Sequence, residues 1–104
     1  MTAQIRTIAR AEQQIQRVSK WWRKNRPAAP ALFEDEIGAA FTAISANPDV
    51  GLPFQHRKVR GVRRLLLAAT RYHVYYVHVP AKAEVAVLAV WSAVRGRGPA
   101  LSKP

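Results

Sequence analysis

The stretch VRRLLLAATRYHVYYVHVPAKAEVAVLAVW, residues 62–91, decides the fold. It holds three runs rich in β-branched, aromatic and aliphatic residues, at 62–68, 72–79 and 84–91, a composition that predicts strands. The breaks between them, Ala69-Thr70-Arg71 and Pro80-Ala81-Lys82-Ala83, are only three and four residues long. Breaks this short permit antiparallel hairpins and exclude parallel crossovers, which need a dozen residues or more. The third run is apolar at both parities, with Val85, Val87 and Ala89 on one side and Ala86, Leu88 and Val90 on the other. That pattern places it inside the sheet. Alternation sends Arg63 and Leu65 to one face and Arg64 and Leu66 to the other, and it separates His73 from His78 in the same way.

Upstream of this meander the period changes. Residues 3–7 alternate weakly and read as a short strand. Ile8, Ala11, Ile15, Val18 and Trp22 then recur at helical spacing, with Thr7 expected as the N-cap and Pro27 and Pro30 as the stop. Lys20, Arg23, Lys24 and Arg26 suit the negative end of that helix. Trp22 falls within its apolar stripe, whereas Trp21 falls beside Arg17 and Lys24, either closing the helical hairpin or serving as a partner-facing anchor. A second helix is expected over 31–47, with Phe33, Ile37, Ala40, Phe41 and Ile44 as its stripe. Glu34, Asp35 and Glu36 fall in its first turn, where the helix dipole favours carboxylates. Asn47-Pro48 ends it, and 49–53 is a loop. The order is β-α-α-β-β-β: an α+β domain with a helical hairpin on one face of a small antiparallel sheet and the other face left for work.

The chain has 104 residues, which suits one domain spanning 1–104. It has no cysteine, which excludes disulfides and thiolate metal sites, and its three scattered histidines form no metal-binding pattern. Neither a membrane-length apolar run nor a signal-peptide core is present, so a soluble, intracellular protein without a membrane partner is expected. Seventeen Lys and Arg against six Asp and Glu give a net charge of +11. An excess of this size calls for an anionic partner. A Gly-rich phosphate loop, helix-turn-helix spacing and a zinc pattern are all missing, which disfavours a general nucleic-acid module.

Particular residues then carry a resemblance. They are Trp21-Trp22, Asn47-Pro48 with Gly51, Val62-Arg63-Arg64-Leu65-Leu66, Thr70-Arg71-Tyr72-His73-Val74-Tyr75-Tyr76, and Leu88-Ala89-Val90-Trp91 followed by Arg95-Gly96-Arg97-Gly98-Pro99. Taken in order over nearly the whole chain, they resemble the RelE/ParE superfamily of type II toxins. The resemblance implies a cytoplasmic toxin that needs no cofactor and is held in a hetero-oligomer by a cognate acidic antitoxin. Two branches share the fold: RelE-like members cut messenger RNA on the ribosome, and ParE-like members poison DNA gyrase.

Metal-free RNA cleavage needs cations at the phosphate and positioned proton donors and acceptors. Cations are plentiful. Arg57, Lys58, Arg60, Arg63 and Arg64 cluster beside His56, and Arg71, Arg95 and Arg97 follow. These residues, with His73 and Trp21, are the candidates for contact with target or antitoxin; the bland alternative for the cluster is a solvated loop and strand entry. Most RelE-like toxins carry a Tyr or His shortly after the last strand, and here Ser92-Ala93-Val94-Arg95-Gly96-Arg97 has neither. His73 occupies a central-strand position where the resemblance implies an arginine. A nuclease would therefore use His73 with Arg64, Arg71 and Arg95. The favoured reading of His73 is a sheet-surface residue that shields a neighbour or touches the antitoxin. The balance favours ParE-like inhibition of gyrase, with RelE-like cleavage of ribosome-bound mRNA as the alternative.

Overall fold

The computed structural model describes residues 2–94 and 96–104. Its elements are β1 (Gln4–Thr7), α1 (Ala9–Asn25), α2 (Leu32–Ala46), β2 (Leu52–Pro53), β3 (Val62–Leu67), β4 (Tyr72–Val79) and β5 (Glu84–Ser92). The expected meander is present: β3, β4 and β5 pair antiparallel in sequence order. Two short strands extend it, giving the order β1-β5-β4-β3-β2. Strand β1 lies parallel to β5, so the sheet is mixed, and β5 is interior as its two-sided apolar pattern required. The chain between them, which holds both helices and strands β2 to β4, supplies the long crossover that a parallel pair needs.

Helix α1 begins one residue later than its sequence suggested. The N-cap is Ile8, with no side-chain cap bond, because Thr7 is still paired to Val87 as the last residue of β1. Beyond Thr7 the edge of β5 has no strand beside it. There Gln14 of α1 turns inward, and its Oε1 accepts the Val90 N–H at 2.8 Å.

Both helices cover one face of the sheet. Ala11, Phe33, Ile37, Ala40 and Ile44 pack on Leu67, Val74, Tyr76, Val85, Val87 and Val90, with Trp22 at the margin. The polar groups entering this layer are matched. The Tyr76 hydroxyl donates to the Pro48 carbonyl and accepts the Gly51 N–H, each at 2.8 Å. A Cβ on residue 51 would lie 2.6 Å from that hydroxyl, so only glycine fits. Burial raises the Tyr76 pKa, keeping the hydroxyl a neutral donor.

The carboxylates at the start of α2 do more than face the helix dipole. Glu36 accepts the Ala69 and Thr70 N–H groups and the Thr70 hydroxyl at 2.7, 3.0 and 2.6 Å, tying the β3–β4 turn to the helix. That turn closes on Arg71 in the left-handed region at φ 66°. Glu34 binds Arg23 at 2.5 Å and accepts the Ser19 hydroxyl, which lowers its pKa and locks the two helices together.

The opposite face is not open along its whole length, contrary to the sequence reading. Val59 and Leu101 cover Val62, Tyr75, Ala86, Leu88 and Ala89, forming a second, smaller core. The alanines at 86 and 89 on β5 leave room there for irregular backbone to lie against the sheet.

Candidate functional site, a cationic cleft on the face away from the helices

A bulge in β5 builds this site. Tyr76 pairs with Val87 and Tyr75 with Ala89, so Leu88 is an extra residue. An extra residue reverses the parity of everything after it. Val90 therefore joins Val85 and Val87 under the helices, while Ala89 joins Ala86 and Leu88 on the far face. Trp91 is carried to that far face too, opposite His73. Simple alternation could not place it there.

Around Trp91 two clefts adjoin. One, of ≈ 210 Å³, is lined by Phe54, Arg64, His73, Tyr75, Trp91 and Arg97, with 92, 93, 96 and 98. The other, of ≈ 470 Å³, is lined by His56, Arg57, Lys58, Trp91, Arg97 and the tail 98–101. The Trp91 Nε1–H donates to the Arg97 carbonyl at 2.9 Å, which pins the start of the tail between them. No Asp or Glu lines either cleft among the described residues.

Arg64 projects from β3 on this face, with its guanidinium 4.9 Å above the Phe54 ring. Phe54 also meets Tyr75 edge-on at 5.1 Å, so the arginine rests on a packed aromatic base. His73 lies edge-on to Tyr75 at 5.9 Å. Burial, and then the nearby Arg64 charge, hold its pKa below the ordinary 6.5. The imidazole is consequently neutral at pH 7. His56 is fixed differently: its Nδ1 accepts the Lys58 and Val59 N–H groups at 3.2 and 3.3 Å, which leaves any ring proton on Nε2.

The structure brings Arg57, Lys58, Arg64, His73 and Arg97 together around Trp91. Arg60 lines a third depression beside them with Phe54, Gln55 and Val59. Arg63 is elsewhere. It shares the helix-side parity of Leu65 and binds the Gly51 carbonyl at 2.7 Å, the Asp49 carbonyl at 3.2 Å and the Asp49 carboxylate at 3.6 Å, so it secures the 49–51 loop. Arg71 is exposed in the β3–β4 turn. Arg95 lies outside the described residues. Trp21 is 45 % exposed at the end of α1, with the Arg26 guanidinium 4.8 Å over its ring. Sequence reasoning missed Phe54 as the base for Arg64 and the tail as a wall. Phe54 is flanked by Pro53 and Gln55, a setting that gives no periodic signal.

This chain is similar in fold to several solved toxins. The toxin–antitoxin complex RelBE2 from Mycobacterium tuberculosis contains a chain that superposes with a TM-score of 0.62 and 19 % identity, over 88 % of this chain and 99 % of that one. Isolated E. coli RelE gives a TM-score of 0.58 and 18 % identity over 90 % and 87 %. An arginine-to-alanine double mutant of E. coli RelE in the free state gives 0.55 and 20 % over 90 % and 86 %. At these identities the likeness speaks for the fold alone. No protein of curated function is significantly similar in sequence. The model of the ParE toxin family of type II toxin–antitoxin systems matches residues 5–96. With that match over most of its length and with the fold it shares with RelE toxins, the chain belongs to the ParE toxin family, a type II toxin of the RelE/ParE superfamily.

Proposed function

We propose that this toxin arrests growth by inhibiting DNA gyrase through protein contact, using the cationic cleft around Trp91 as its working surface. The observation that carries the reading is the make-up of that cleft. Arg64, Arg97, Arg57 and Lys58 supply charge; among the described residues His73 alone in the Arg64 cleft suits proton transfer near neutral pH, with His56 in the adjoining cleft. Held neutral, His73 fits the base of an RNA-cleaving site. The leaving oxygen would then face guanidinium groups, which do not release protons near pH 7. The ParE family match supports the same branch.

A cognate antitoxin is the natural cover for this face. The RelBE2 structure is a toxin–antitoxin complex, and a net charge of +11 favours an acidic partner through complementary fields. Among the described residues no helix is long and apolar enough to cross a membrane.

A second reading retains one specific support: His73 and Arg64 share a cleft with Arg97, as a ribosome-dependent endoribonuclease would need. Supercoiling by purified gyrase, followed with and without the toxin, tests the first reading; inhibition is expected. Mapping transcript ends after induced expression tests the second. Codon-positioned cuts together with unimpaired gyrase would overturn the proposal.

A further inference from the structure

We infer that the outer stripe of α1 and the cleft beside the tail form one cationic belt that docks along the phosphate backbone of duplex DNA. Arg10, Arg17 and Lys24 recur every seven residues on α1 and are all exposed. At about 1.5 Å per residue they are held roughly 10 Å apart along a rigid rod of about 21 Å. The stripe runs into the cleft. Arg10 donates to the Ala100 carbonyl at 3.3 Å, and Ala100 walls the cleft that holds Arg57, Lys58 and Arg97.

Acids are kept off this belt. The ion pairs among the described residues join Arg6 to Glu84, Arg23 to Glu34 and Arg63 to Asp49, and none uses a belt residue. Glu36 is committed to the β3–β4 turn. Glu12, on α1 itself, falls about half a turn round from Arg10, at roughly 100° per residue. None of the six belt cations is therefore neutralised by an ion pair among the described residues.

The geometry favours a duplex over a single strand. Single-strand binders offer open aromatic faces for base stacking. Here one face of Trp21 is covered by Arg26 and its edge by Trp22, while Trp91 is tied to Arg97. What remains is a stiff row of charges, which suits a stiff row of phosphates. This inference stands apart from the choice of gyrase, because toxin and DNA alone suffice to test it.

The test is fluorescence anisotropy of the purified toxin with a labelled duplex of about 20 base pairs, between about 50 and 200 mM salt. Six backbone contacts predict that log affinity falls against log salt with a slope of about −5. Replacing two belt cations, as in Arg17→Ala with Lys24→Ala, should make the slope shallower by about 2 and weaken binding at least tenfold near 0.1 M salt. The pair Arg57→Ala with Lys58→Ala tests the other half of the belt in the same way. Lys82→Ala with Lys103→Ala removes equal charge outside the belt and should leave the slope unchanged. Equal losses from all three pairs would overturn the belt in favour of bulk charge. Tighter binding to a single strand of the same length would overturn the duplex. So would retention on anionic phospholipid vesicles at salt that abolishes duplex binding.

Discussion

The two faces of the sheet are built to different rules. Under the helices, Phe33, Ile44, Leu67, Val74 and Tyr76 are almost wholly buried, and the polar atoms that enter have partners. On the other face Ala86, Leu88 and Ala89 are equally buried, but what covers them is a loop and a tail. Around Trp91 that cover parts and leaves a basic cleft. Large side chains between regular elements give the first face its stability. Small side chains beneath irregular backbone give the second face concavity and charge, the properties recognition needs. On the proposed function, stability and activity would lie on opposite sides of one sheet.

The largest expected effect lies on the helix side. Phe33→Ala should destabilise the protein by about 3–5 kcal/mol, as loss of a fully buried aromatic ring does, and would be read as a lower denaturant midpoint. A comparable deletion on the tail side, Leu101→Ala, should cost only about 2 kcal/mol, because a terminal segment can resettle around the gap. It should raise amide exchange at 98–104 while the helices stay protected. Equal costs for the two substitutions would break the contrast between the faces.

The smallest effect is confined to one range of pH. Burial and Arg64 depress the His73 pKa below 6.5, and the unfolded chain restores the ordinary value. Below about pH 6.5 the unfolded state then binds more protons than the folded one. His73 therefore contributes stability that is complete above that pH and is lost as pH falls through its folded pKa. Thermal midpoints of the natural chain should fall through this range, and those of His73→Gln should fall less. Parallel curves for the two proteins would contradict the burial assigned to His73.

Much of this was readable before the structure. The runs at 62–68, 72–79 and 84–91 have no register but a meander, given breaks of three and four residues, and alternation correctly divided Arg63 from Arg64. What escaped were features set by tertiary contact. The bulge at Leu88 has no local signature in an unbroken apolar run, so the positions of Ala89 and Val90 were misread. The parallel pairing of β1 depends on β5, which the chain reaches only after both helices and three further strands. Glu36 looked like a dipole residue because its partners, Ala69 and Thr70, lie 33 and 34 positions away. The packing of the tail was not foreseen because Leu101 has apolar company only in space.

The central claim is that growth arrest is worked from the tail side, where Arg64 and Arg97 meet. Its most direct test is growth of cells induced to express Arg64→Ala with Arg97→Ala, once the purified variant is known to melt normally. Both side chains lie outside the core, so stability should change by no more than about 0.5 kcal/mol for each. The account predicts a folded protein that no longer arrests growth. A variant that folds and remains as toxic as the natural chain would contradict it.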